Sequence, residues 1–72
     1  MPRLRQVSGD EAIRALERLG FAQVRQRGSH VVLKKGKSGC LIPPHSILAI
    51  GTLRGALKQA GVGIEDFLRN LG

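Results

Sequence analysis

Residues 27–45 read RGSHVVLKKGKSGCLIPPH, and the fold depends on how this stretch divides. His30–Lys35 is a β-branched and aliphatic run ending in charge, the composition of a strand. Gly36-Lys37-Ser38-Gly39 supplies a hairpin turn, because glycine tolerates the positive φ that such turns need. Residues 40–42 form the return strand, which stops at Pro43-Pro44 because proline cannot donate to a ladder. Upstream, Arg27-Gly28-Ser29 makes another turn, and residues 21–26 run as a preceding strand. The middle of the chain is thus a three-stranded antiparallel meander.

Alternate residues of a strand share a face. His30, Val32 and Lys34 point one way, and Val31, Leu33 and Lys35 the other. With the hairpin closed by Lys37-Ser38, Leu33 opposes Ile42 and Lys35 opposes Cys40. Val31, Leu33, Cys40 and Ile42 then form one apolar face for helices to cover, and His30 and Lys34 lie together on the solvent side.

The flanks are helical. Ser8 and Glu11 have the S-x-x-E spacing of a capping box, and Asp10 and Glu11 suit the positive end of a helix dipole. Ala12, Ile13, Leu16 and Leu19 follow at helical spacing, and Gly20 offers a left-handed stop. A helix is expected over residues 8–19. In the last third, Leu53, Ala56, Leu57 and Ala60 stand at i, i+3, i+4 and i+7 after a start at Gly51-Thr52, with Gly61 closing the helix. Ile64, Phe67, Leu68 and Leu71 mark a further short helix with Glu65 and Asp66 in its first turn. The expected fold is α+β: helix, three-stranded antiparallel sheet, helix and a short C-terminal helix. The helices cover one sheet face and leave the other free. At 72 residues, residues 1–72 are read as a single domain.

Charge narrows the class of partner. Twelve Lys and Arg against five Asp and Glu give a formal net charge of +7. Between Arg18 and Ile64 there is no acidic residue, while Arg18, Arg25, Arg27, Lys34, Lys35, Lys37, Arg54 and Lys58 all fall there. An acid-free basic stretch suits a phosphate-facing surface, where each cation displaces a condensed counterion. The only aromatic residues are Phe21 and Phe67, which removes the usual aromatic platform for stacking unpaired bases. The single cysteine, Cys40, excludes an internal disulfide and suits a reducing compartment. No apolar run approaches the roughly 18 residues of a membrane span. The N-terminal residues lack the apolar stretch of a signal peptide, so the cytoplasm is the expected location and no membrane partner is expected.

Two histidines carry the candidate chemistry. RNA strand cleavage needs a base for the 2′-hydroxyl and an acid for the departing 5′-oxygen, and imidazole can serve as either near neutrality. Neighbouring Lys or Arg stabilises charge building on the phosphoryl oxygens. His30, at the start of a strand after a Gly-Ser turn, projects toward solvent; a plain surface or phosphate-contacting role fits the same position. His45 falls near the level of His30, which permits a two-histidine arrangement, but it also fits a loop or capping role. Two histidines and one cysteine are too few for a zinc site. Cys40 reads as a buried small hydrophobe. Ser29 has a neighbouring histidine but no carboxylate to orient it as in a triad.

Arg27-Gly28-Ser29-His30, the following strand, Ile42-Pro43-Pro44-His45, Gly51-Thr52-Leu53, Lys58-Gln59-Ala60-Gly61 and Glu65-Asp66-Phe67-Leu68, in this order, resemble the HicA (YcfA-like) toxin family. The resemblance extends from about Leu4 to Leu71. It implies a fold similar to the double-stranded-RNA-binding domain and an mRNA interferase of a type II toxin–antitoxin module. It also implies a HicB-type antitoxin that masks the catalytic histidine, which maps to His30. No cofactor or metal is implied. On this basis RNA lies over the free sheet face, with Lys34 at the scissile phosphate. Arg25, Arg27, Lys35 and Lys37 hold the flanking backbone, and Gly28 and Ser29 shape the turn that aims His30. The alternative is a non-catalytic module that binds double-stranded or structured RNA through the same surface. A subunit that only pairs with an acidic protein is a third.

Overall fold

The computed structural model describes residues 3–71. The elements run β1 (Val7–Ser8), α1 (Gly9–Arg18), β2 (Ala22–Arg27), β3 (His30–Lys35), β4 (Ser38–Ile42), β5 (Ile47–Leu48), α2 (Ile50–Ala60) and α3 (Ile64–Arg69). Strands β2, β3 and β4 form an antiparallel sheet in that order, which is the α+β architecture expected. A second, two-stranded ladder pairs Val7 with Leu48 and Ser8 with Ile47. It ties the entrance of α1 to the entrance of α2. Strands of two residues carry no alternation, so the sequence pattern does not announce them.

Helix α1 begins with the capping box. The Ser8 hydroxyl accepts the Glu11 N–H at 3.1 Å, and the Ser8 N–H donates to the Glu11 carboxylate at 3.0 Å. It ends in a Schellman arrangement: Gly20, at φ +101°, donates to Glu17, and Phe21 donates to Leu16, each at 3.0 Å. These two bonds satisfy carbonyls the helix would otherwise leave unpaired. Helix α2 starts one residue before Gly51, at Ile50, and has no side-chain cap.

Ser8→Ala is expected to cost about 1 kcal/mol, lowering the melting temperature of so small a domain by about 4–8 °C. The Glu11 carboxyl sits below its ordinary value, chiefly because it accepts the Ser8 N–H. A carboxylate depressed in the folded state contributes stability at neutral pH and loses it as pH falls through the folded pKa. The melting-temperature margin over Glu11→Gln therefore closes in acid, as thermal scans across pH would show.

Two features of the sheet differ from the expected pairing. The β3–β4 turn is Gly36-Lys37 alone, so Lys35 pairs with Ser38, Leu33 with Cys40 and Val31 with Ile42. Gly36 takes φ +60° at the first turn position and no other residue type in the described chain has positive φ. That is the signature of a glycine-first two-residue hairpin. The register moves by two residues, which preserves the parity of every side chain. The second feature is a bulge in β2: the ladder runs Ala22↔Lys34 and Gln23↔Leu33, skips Val24, and resumes at Arg25↔Val32 and Arg27↔His30. Phe21, Arg25 and Arg27 are all odd-numbered, so a regular strand would send them to one face. The extra residue lets Phe21 enter the core, 5% exposed, while both arginines face outward.

The core lies between the helices and the inner sheet face. Ala12, Ile13, Ala15 and Leu16 of α1 and Leu53, Ala56, Leu57 and Ala60 of α2 pack with Val31, Leu33, Cys40 and Ile42. Phe67 of α3 is fully buried in the same cluster. After β4 the chain passes over the start of α1: a Cβ at Gly9 would run into the Pro43 carbonyl, and the Gly9 N–H donates to the Ser46 carbonyl at 2.8 Å. No helix among the described residues is long and apolar enough to cross a membrane.

Candidate functional site

The outer sheet face is organised by the ladder into cross-strand rows. Arg27 stands opposite His30; Arg25, Val32 and Leu41 form the next row; Ala22, Lys34 and Gly39 form the third. Directly opposed side chains are only about 5 Å apart at Cβ, so Arg27 is the nearest cation to His30 along the ladder. His30 to Lys34 is four residues of strand, about 13 Å. The ladder thus sets Arg27, not Lys34, beside His30, and Lys34 stands further along the face.

His30 is exposed at the first position of β3, held there by the Gly28-Ser29 turn with Gly28 at φ +60°. The Ser29 hydroxyl lies 3.4 Å from His30 Nδ1, at the long limit of a hydrogen bond. Where Ser29 accepts from Nδ1–H, Nε2 carries the lone pair and can act as a base. Where Ser29 donates, Nε2–H is the proton donor. The contact is compatible with either tautomer of the ring. The Gln26 amide donates to the Gly28 carbonyl at 3.2 Å, bracing the same turn.

Arg25, Arg27, Val32, Lys34, Lys37, Gly39, Leu41 and Gln59 line an open groove of about 390 Å³ beside this row. Val32 is only 8% exposed although it stands outside the core cluster, so the long side chains of the outer face cover it. At Gly39 a Cβ would press on the Lys34 stem and the Leu33 carbonyl; glycine there lets Lys34 lie flat across β4. Sequence reasoning missed Gly39, placed inside a turn, and Gln59, the one groove residue from α2. The signal for Gln59 was its position on α2 outside the buried Leu53, Ala56, Leu57 and Ala60 stripe.

Lys35 does not join this surface. Its side chain is on the helix side, where Nζ donates to the Leu19 carbonyl at 2.7 Å and stands 6.0 Å from the Phe21 ring centroid. It closes the C-terminal end of α1 and stands apart from the outer-face cations with which it was grouped. His45 is exposed on the connection that packs over α1; the β3–β4 ladder ends at Val31↔Ile42, so His45 does not enter the His30 row. Cys40 is 4% exposed, and burial pushes its thiol up, which keeps it protonated and inert. Among the described residues no three His, Cys, Asp or Glu side chains gather in a way that could hold a metal ion.

Residues 9–62 match the family described as HicA toxin of bacterial toxin-antitoxin. The chain belongs to the HicA toxin family. The matched segment starts at the first residue of α1 and contains the Gly28-Ser29-His30 turn, the whole three-stranded sheet and α2. No curated protein matches the chain. As a HicA-family toxin it is one half of a toxin–antitoxin pair, and an antitoxin partner is implied.

Proposed function

We propose that this toxin is an endoribonuclease that cleaves mRNA without a cofactor, with His30 as its general acid–base group. The observation that carries this is an exposed imidazole held on a turn directly opposite Arg27, on a face without carboxylates. RNA lies along the outer face with the scissile phosphate between the two. His30 takes the proton of the 2′-hydroxyl, whose oxygen attacks phosphorus. The bond to the 5′-oxygen breaks, leaving a 2′,3′-cyclic phosphate on one fragment and a 5′-hydroxyl on the other. The departing oxygen takes its proton from the imidazolium or from water. Arg27 stabilises the charge that grows on the phosphoryl oxygens, while Lys34 and Lys37 hold phosphates on either side and Arg25 contacts the RNA between them. Gly28 and Ser29 aim the ring.

The antitoxin in this scheme is of HicB type and acidic on its docking side, so that it covers the basic face and competes with phosphate. Induction of the toxin without its antitoxin is expected to arrest growth and fragment total mRNA, with 2′,3′-cyclic phosphate at the new ends. Arrest with intact mRNA would instead favour a non-catalytic RNA-binding module.

A further inference from the structure

The outer face holds more than a row of phosphate ligands, and this bears on which RNA it takes if it is the RNA surface proposed above. A purely backbone-binding face needs cations alone. Here the middle row places an apolar pair, Val32 and Leu41, between the rows of Arg27 and Lys34. Leu41 is 39% exposed. Arg25 ends the same row, and Gln59 of α2 lines the groove with them. In an A-form duplex the base faces are stacked inside and the protein meets phosphates, 2′-hydroxyls and minor-groove base edges, so a duplex offers no base face to lie on Leu41.

We infer that Arg25, Leu41 and Gln59 form a seat for one unpaired base of the RNA, with Gln59 selecting its identity. Both phenylalanines are buried in the core, so the stacking partner is the Arg25 guanidinium plane, a recognised substitute for an aromatic ring. Leu41 supports the other part of the base. The Gln59 carboxamide carries both donors and an acceptor, so it discriminates bases by the donor and acceptor pattern of their edges.

The test separates this seat from the catalytic reading. Randomised single-stranded RNA is selected for binding to His30→Ala protein, with a duplex of the same composition as competitor, and wild-type cleavage is assayed in parallel. Unpaired RNA is expected to win, with one position enriched about fivefold or more. In a Gln59→Ala background that enrichment falls below about twofold while affinity for the pool remains. Leu41→Thr is expected to weaken single-stranded binding about fivefold or more and to leave duplex binding unchanged. Equal binding of duplex and single strand, no binding of either, or enrichment that survives Gln59→Ala overturns the seat. Selection that behaves as expected beside a wild-type protein that never cleaves keeps the seat and overturns the nuclease.

Discussion

His30→Ala protein is expected to accumulate in cells at the level of the parent, melt at the same temperature and neither arrest growth nor cleave mRNA. The stability half follows from position. His30 is exposed, stands outside the core cluster, and its ring's one hydrogen-bond contact among the described residues is the Ser29 hydroxyl at 3.4 Å; surface changes of this kind stay within about 0.5 kcal/mol. The activity half follows from the outer face itself. No carboxylate falls between Arg18 and Ile64, and His45 is not in the His30 row, so no neighbour on this face can take over proton transfer. General acid–base catalysis by one positioned group contributes about 10²–10⁴-fold, and a cleavage assay on purified protein should lose at least the lower bound. Cleavage by His30→Ala at the parental rate would remove His30 from the mechanism. Retained toxicity without cleavage would identify a different mode of growth arrest.

The face that carries this site was legible because parity is robust. A pairing register misread by two residues keeps every side chain on its own side, so His30 and Lys34 were separated from Val31 and Leu33 even with the turn displaced by one residue. What parity could not supply was the row structure. Arg27 was read as part of a turn, yet it is the last ladder residue of β2 and the direct partner of His30. Its proximity depends on the turn being only Gly28-Ser29. The bulge at Val24 was hidden for a different reason. Nothing local marks it; it resolves a conflict between an apolar residue that must go in and two arginines that must stay out. A run of odd-numbered positions containing both kinds is the only trace in the sequence. Lys35 shows the reverse case, charge read ahead of parity. Its charge suggested an RNA contact, although its parity already placed it with Leu33, and the structure gives that ammonium a helix C-terminus to close.

Phe67→Ala is expected to unfold the toxin or bring it to the edge of unfolding, though Phe67 lies outside the matched residues 9–62. Helix α3 has six residues, far below the roughly 12 at which an isolated helix begins to hold in water. It is held by docking: Phe67 is fully buried in the shared core, and the Arg18 guanidinium donates to the Asn70 carbonyl at 2.6 Å. Removing a buried phenylalanine costs about 3–5 kcal/mol. At roughly 0.05–0.15 kcal/mol per residue, a domain of this length has about 4–11 kcal/mol in all. Without the ring, α3 loses its anchor, and Val62, Ile64, Leu68 and Leu71, now packed against the core, are released to solvent. Denaturant titration should show the loss directly, and Phe67→Leu should recover most of it because volume is largely kept. An unchanged midpoint for Phe67→Ala would mean that α3 contributes nothing to the fold. In cells the two alanine variants are both harmless, but for opposite reasons that an immunoblot separates: His30→Ala is abundant and silent, whereas Phe67→Ala is degraded, because the open form is what proteases remove.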